Sequence, residues 1–216
     1  MRKSTMYIFI LATLGLSAAV AQDKTIDDFT TGAYHSPDYR GGIHNASQNG
    51  GMMGGNRSTT VWMTTAADPY KQSSSITFQP ATSSAPAAFI TSSGFLAGTR
   101  FEVGYGFGTP MTEDFSPYDR IRLNFIGLSQ MLNFNILLFT GSAYAQGGCG
   151  MVGSTAPFSV ELPLALFRQT PGFNQASVNL IDLIFQSATT IGAANLAISS
   201  VELSNTAKPG ALSCHF

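Results

Sequence analysis

Residues 119–140 constrain the fold more than any other stretch, because apolar and polar side chains alternate along two successive segments. Alternation with a period of two places one set of side chains on each face of a β-strand. Ile121, Leu123 and Phe125 give the first segment an apolar face, and residues 132–138 give the second segment another. The connection between the segments is short, so we predict that they form an antiparallel hairpin at the centre of a β-sandwich.

Short alternating segments recur along the rest of the chain, with turn residues between them. They begin near residues 26, 59, 76, 89, 100, 158, 178 and 196. Roughly nine or ten strands at such spacing are typical of a sandwich or barrel. We therefore predict an all-β fold, a two-sheet antiparallel β-sandwich of the jelly-roll type. An up-and-down barrel with a lipocalin-like cavity is the alternative.

The N-terminus has the pattern of a signal peptide. A basic pair, Arg2 and Lys3, precedes a short apolar run, and the small residues Ala19 to Ala21 follow it. The apolar run is too short for a membrane-spanning helix. We expect residues 1–21 to be removed and residues 22–216 to form a single β-sandwich domain, secreted or periplasmic, with no membrane span.

The charge of the chain argues against a nucleic-acid partner. Only 11% of the residues are charged, and the formal net charge is −1. Removal of Arg2 and Lys3 makes the remaining chain more acidic. Phosphate binding needs clustered lysine and arginine, which this sequence lacks.

Cys149 and Cys214 are the only cysteines. Two cysteines in an exported chain usually pair, because the compartment is oxidising. We predict a disulfide between them, with two free thiols as the alternative.

Three local features lie outside the strong strands. Residues 32–57 and the glycine-rich residues 147–153 are predicted to be loops, and residues 164–169 a single helical turn. The second loop spells G-x-G-x-x-G, but no helix pattern follows it, so we expect no dinucleotide there. We also predict a β-bulge near Ser199 and Ser200, because the apolar residues on either side have opposite parity.

The order of short motifs resembles that of secreted bacterial jelly-roll domains of galactose-binding-like topology, some of which end in a sorting tail. The motifs are Ile26–Phe29, Met53–Arg57, Tyr105–Gly106, Tyr118–Ile121, Phe158–Val160 and Ile181–Ile184. This chain lacks the Pro-Glu-Pro signal, the apolar helix and the basic end of the tailed members. The resemblance implies glycan binding, in some members with a structural calcium ion.

Candidate ligand-binding residues lie in the first predicted loop and on the polar face of the predicted hairpin. Aromatic rings and arginines are frequent anchors of binding sites. The predicted set is Tyr34, Tyr39, Arg40, Asn45, Arg120 and Arg122. For the two arginines, a cross-strand ion pair with Glu102 is the simpler interpretation. Trp62 either lies on an exposed polar face, where its ring could stack on a sugar, or fills one end of the core. We favour the core because tryptophan is largely buried on average.

A calcium site is a further hypothesis. Asp27 or Asp28 on the first strand and Glu202 on the last would meet if the terminal strands pair, and calcium prefers oxygen ligands. Ordinary surface carboxylates explain the same residues. No other cofactor is expected.

The sequence leaves three functions open. An exported, non-catalytic module that binds a carbohydrate or cell-surface component comes first, and a structural matrix or envelope protein without a small ligand comes second. A glycan-active enzyme comes third, because no nucleophile elbow or phosphate-binding loop is present. A carboxylate pair could still assemble in space from Glu102, Glu161 or Glu202.

Overall fold

The alternating segments form two β-sheets that enclose one apolar core. The computed structural model describes residues 22–64, 73–94, 98–187 and 194–214. The predicted signal peptide, residues 1–21, lies outside the described residues. No helix in the described part of the chain is long and apolar enough to cross a membrane.

Sheet A contains eight strands, numbered here along the whole chain. They are β1 (Lys24–Asp27), β2 (Tyr34–His35), β5 (Ser75–Gln79), β6 (Ala88–Ser92), β8 (Arg120–Leu128), β11 (Phe158–Pro163), β14 (Asn195–Ser204) and β15 (Leu212–Ser213). The order across the sheet is β15-β11-β8-β14-β6-β5-β2, and β1 pairs with the second half of β14. All pairs are antiparallel except β11 with β15.

Sheet B contains seven strands in the order β12-β10-β9-β13-β7-β4-β3, all antiparallel. They are β3 (Gly42–Asn49), β4 (Asn56–Thr64), β7 (Gly98–Tyr105), β9 (Leu132–Thr140), β10 (Ala143–Met151), β12 (Arg168–Gln169) and β13 (Leu180–Gln186). The predicted two-sheet antiparallel jelly roll is therefore confirmed.

The core lies between the inner faces of the sheets. Ile121 and Leu123 of sheet A and Phe134 and Ile136 of sheet B are almost fully buried. The alternation in residues 119–140 thus identified the inward side chains of both segments correctly.

The predicted hairpin itself is wrong. β8 pairs with β11 and β14 in sheet A, whereas β9 pairs with β10 and β13 in sheet B. Residues 129–131 carry the chain from one sheet to the other. Alternation reports which side chains share a face, but it contains no information about which strand lies alongside, so a short connection was mistaken for a hairpin turn.

Both predicted glycine-containing loops are also largely wrong. The edge strand β3 runs through Gly42–Asn49, and the single-turn 3-10 helix Met53–Gly55 follows it. In β10, an added Cβ on Gly147 would lie 2.5 Å from the Phe167 ring. Glycine therefore permits close packing within a strand here, instead of marking a loop.

Two local predictions are confirmed. Ser199 is the extra residue of a bulge, because Ile198 pairs with Phe125 and Ser200 with Asn124. As a result, the apolar residues on both sides of the bulge point into the core. The predicted helical turn is a 3-10 turn at Leu164–Leu166.

Two links join the sheets through the interior. Cys149 of β10 and Cys214, just beyond β15, form the predicted disulfide, with their Cα atoms 5.7 Å apart. Separately, Arg57 of β4 donates to Asp27 of β1 at 2.8 Å, and both side chains are fully buried. The guanidinium carbon of Arg57 also lies 3.6 Å from the centroid of the Phe78 ring.

Candidate functional site

The outer face of sheet B carries the polar and aromatic side chains that the core excludes. Trp62 lies on this face and is 42% exposed, with its ring near the guanidinium of Arg100. The prediction that Trp62 belongs to the core is therefore wrong. Its neighbours Val61 and Met63 fill the core instead, because successive side chains of a strand point to opposite faces.

A recess of about 320 Å³ lies two residues along β4 from Trp62, on the side of this face that ends at the edge strand β3. It is lined by Asn45, Ser58, Thr59, Thr60, Glu102, Phe107 and Asp182. Strand pairing brings these residues together, because Thr60 lies opposite Asn45 on one side and Glu102 on the other. Thr60 also donates to the Asn45 side-chain oxygen at 2.8 Å.

Asp182 provides the unusual chemistry of the recess. Its side chain is only 8% exposed, and its Oδ1 atom has no hydrogen-bond partner among the described residues. Leaving a buried polar atom unpaired costs about 1–3 kcal/mol. A ligand or water atom that pairs with Oδ1 would recover part of that cost.

The electrostatics of the recess keep Asp182 partly protonated near neutral pH. Burial, and to a smaller extent the Glu102 carboxylate, raise the pKa of the Asp182 carboxyl to about 7, against the opposing effect of Arg100. Glu102 itself forms a salt bridge with Arg100. A protonated carboxyl both donates and accepts hydrogen bonds, so Asp182 is suited to a hydroxyl group.

Phe107 forms an aromatic wall of the recess. Its side chain is 51% exposed, and it packs on Gly104, where an added Cβ would lie 2.1 Å from the ring. Glycine at position 104 therefore allows the ring to lie flat against the sheet next to Asp182. An exposed ring, hydroxyl side chains and an unpaired carboxyl are together suited to a polyhydroxylated ligand.

The structure does not bring the predicted ligand-binding residues together. Asn45 lines the recess on sheet B. Tyr34 packs against Phe78 at the edge of sheet A, and the Tyr39 ring stacks on His44 at 3.7 Å. Arg40 is exposed beside Tyr39 and lies outside the recess.

Arg120 and Arg122 lie on the outer face of sheet A, and their donors are engaged within the chain. Both bind Glu161, at 2.8 and 2.9 Å. Arg120 also binds Asp119, and Arg122 binds Ser204 and the Thr206 carbonyl. The interpretation that pairs them with Glu102 is wrong, because Glu102 is in the other sheet. They attach the C-terminal segment to sheet A.

Asp27 and Glu202, two of the three carboxylates of the calcium hypothesis, lie apart, and the third, Asp28, accepts hydrogen bonds from the Thr30 amide and hydroxyl. The terminal strands do pair, with Thr25 opposite Glu202. Asp27, however, points into the core, whereas Glu202 binds Asn124 and Ser200 on the outer face. Within the described ranges, no group of three or more histidine, cysteine or acidic residues is placed to hold a metal ion. Calcium binding stays a prediction.

Sequence reasoning missed Asp182 and Phe107. Asp182 stands within the apolar run Leu180–Phe185, and its isolation there was the available signal. A single carboxylate inside a strand with apolar residues on both faces must be buried or lie at a site. Phe107 carried no such signal, because its position depends on the turn after β7.

No family model and no curated protein matches the sequence. Among solved structures, the family 11 carbohydrate-binding module of a cellulosomal cellulase of Clostridium thermocellum is 13% identical, over 92% of this chain and 100% of that one, with a TM-score of 0.45. A second structure of a family 11 module from that organism, in complex with a β-1,3-1,4-mixed-linked tetrasaccharide, is 13% identical over 89% and 98% of the chains, with a TM-score of 0.40. A module specific for non-crystalline cellulose is 9% identical over 61% and 82%, with a TM-score of 0.37. At this level of similarity, these modules do not indicate what the present chain binds.

Proposed function

We propose that the protein is an exported, non-catalytic carbohydrate-binding module whose ligand lies on the outer face of sheet B. The observation that carries this proposal is the recess that Asp182 lines beside the exposed Phe107 ring, with the buried Oδ1 atom of Asp182 unpaired among the described residues. Trp62 extends the aromatic surface along the same face.

Three features support an uncharged, hydroxyl-rich part of a ligand at this recess. Ser58, Thr60 and Asn45 supply hydroxyl and amide groups. Asp182 is partly protonated near neutral pH, and in its protonated form it can bind a hydroxyl without placing a negative charge in a buried site. The exposed rings offer apolar area to the less polar face of a sugar.

Binding of the chain, residues 22–216, to a glycan array tests the proposal, followed by titration calorimetry with each glycan that binds. We expect Trp62→Ala and Asp182→Ala each to weaken binding at least about tenfold, since a few central anchors usually dominate affinity. The matched control is the double substitution Tyr34→Ala and Tyr39→Ala, which removes two rings outside the recess.

The outcomes separate the alternatives. Loss of binding in the double tyrosine variant, with Trp62→Ala unaffected, would place the site at the first predicted ligand surface instead. If no glycan binds the protein, a structural matrix or envelope role replaces the proposed function.

A further inference from the structure

A second recess lies on the outer face of sheet B, at the edge opposite Trp62. It has a volume of about 250 Å³ and is lined by Asn135, Gln146, Gly147, Gly148 and Arg168. Its polar side chains are thus one guanidinium and two primary amides, with no carboxylate among them. The charge character is opposite to that of the Asp182 recess.

Gly148 lines this recess and allows the Asn135 side chain to lie close over the strand. Residue 148 pairs with Asn135 across the sheet and shares its face. An added Cβ at 148 would lie 2.3 Å from the Phe134 carbonyl oxygen and 2.6 Å from the Asn135 side-chain oxygen. No side chain fits at residue 148, because the Asn135 side chain already lies there, and its Oδ1 atom accepts a hydrogen bond from the Gln146 amide at 3.4 Å.

Arg168 lines the same recess. It is exposed on the short edge strand β12, directly opposite Gln146. Four other arginines form salt bridges, whereas Arg168 forms none within the described part of the chain. Its five donors are suited to bidentate binding of a carboxylate or a sulfate.

The register of sheet B connects the two recesses. Asp182 lies opposite Leu137, Leu137 opposite Gln146, and Gln146 opposite Arg168. These residues form one row at right angles to the strands. Three strand spacings separate the ends of the row, which is about 14 Å. The acidic end carries Asp182 and Glu102, and the basic end carries Arg168.

We propose that the Arg168 recess binds an anionic substituent, a carboxylate or sulfate, of the same glycan chain that occupies the Asp182 recess. This inference rests on the proposed function and narrows its ligand to an acidic oligosaccharide. It also fixes the direction of the chain across the strands. Arg168 attracts an anion at one end, whereas the Arg100 charge at the other end is already paired with Glu102.

Three tetrasaccharides of galactose test the inference by calorimetry: one with a galacturonic acid at a single end, the same chain with that carboxyl group reduced, and one with a sulfate at a single end. We expect at least one acidic chain to bind about tenfold or more tightly than the neutral chain, with the preference falling as salt is added. The carboxylate and sulfate arms distinguish the two anions. Arg168→Gln should remove the preference, and Arg168→Lys should retain part of it, because lysine keeps the charge but not the bidentate geometry.

Arg40→Gln is the matched control, since Arg40 is also exposed but lies outside the recesses. It should leave the preference unchanged. Equal binding of neutral and acidic chains, or a preference that survives Arg168→Gln, would overturn the inference while leaving the proposed function intact. If none of the three chains binds, the inference is also overturned, and the glycan array decides the proposed function separately.

Discussion

Asp27 and Asp182 are both buried aspartates on strands, but their surroundings differ. Asp27 lies between the sheets and accepts hydrogen bonds from Arg57, from Tyr105 at 3.1 Å and from the Phe29 amide at 2.8 Å. Asp182 lies on the outer face of sheet B, with Oδ1 unpaired among the described residues. The chain itself supplies the hydrogen-bond partners of the Asp27 carboxylate, whereas it supplies none to Oδ1 of Asp182 among the described residues.

The same contrast governs the ionisation of the two groups. Burial raises the pKa of Asp27, but the Arg57 charge and three hydrogen bonds oppose that rise. At Asp182, burial is reinforced by the Glu102 carboxylate, and the pKa reaches about 7. A buried carboxyl with partners therefore serves stability, and a buried carboxyl without them marks a site.

The largest expected effect on stability comes from breaking the buried ion pair between Asp27 and Arg57. Asp27→Ala leaves the fully buried Arg57 without its carboxylate, and we expect a loss of about 3–5 kcal/mol in the free energy of unfolding, measured in urea. The double variant with Arg57→Met should recover most of that loss, because no buried charge remains. A single variant as stable as the parent would show that the pair contributes nothing.

The second-largest expected effect is a loss of folding stability with rising pH, which arises from Asp182. Its pKa in the folded state, about 7, is above the ordinary value of 3.8. The contribution of this group to stability is therefore complete below pH about 4 and is lost as the pH rises through about 7. At about 1.4 kcal/mol per pKa unit, the loss by pH 8 is at most about 4 kcal/mol.

Urea unfolding of the parent and of Asp182→Asn across that pH range measures this loss. The difference between the two proteins should change with pH, since asparagine does not titrate. Parallel pH profiles of the two proteins would contradict the raised pKa of Asp182.

The third effect compares a covalent link between the sheets with the ionic one. Replacing Cys149 and Cys214 by serine releases a bond that spans 65 residues, and we expect a loss of about 2–4 kcal/mol. Thermal unfolding of the parent with and without reductant gives the same comparison without substitution. No change in melting temperature on reduction would mean that Asp27 and Arg57 hold the sheets together without the disulfide.

The smallest expected effect is on the outer face. Trp62→Ala removes a ring that packs on the surface rather than in the core, so unfolding should change by no more than about 0.5 kcal/mol. The matched core variant Phe101→Ala should cost about 3–5 kcal/mol, because Phe101 is fully buried. Similar losses in both variants would mean that Trp62 belongs to the core after all.

The sequence was sufficient to predict the architecture, because strand positions follow from alternation within each segment. The strands from Ile121 to Phe125 and from Leu132 to Leu138 have the predicted inward faces. The neighbour of each strand was not predictable in the same way. Pairing depends on which faces pack best across the whole chain, and β8 finds its partners far along the sequence.

The site was less predictable than the fold. Trp62 was assigned to one of two faces by a general preference for burial, although alternation with Val61 and Met63 argued for the other. The recess joins Asn45, Glu102 and Asp182, which come from three strands. Only the register of sheet B brings them together, and no local pattern encodes that register.

The middle position of β13 and β14 has a consequence for the order in which the molecule is assembled. β13 joins β7 to β9, and β14 joins β8 to β6 and β1. Until Leu180–Gln186 is in place, sheet B is two separate parts, and until Asn195–Ser204 is in place, sheet A is three, because β1 pairs only with β14. Pairing over such long sequence separations is slow. The recess on sheet B therefore forms only when β13, which carries Asp182, pairs with β7.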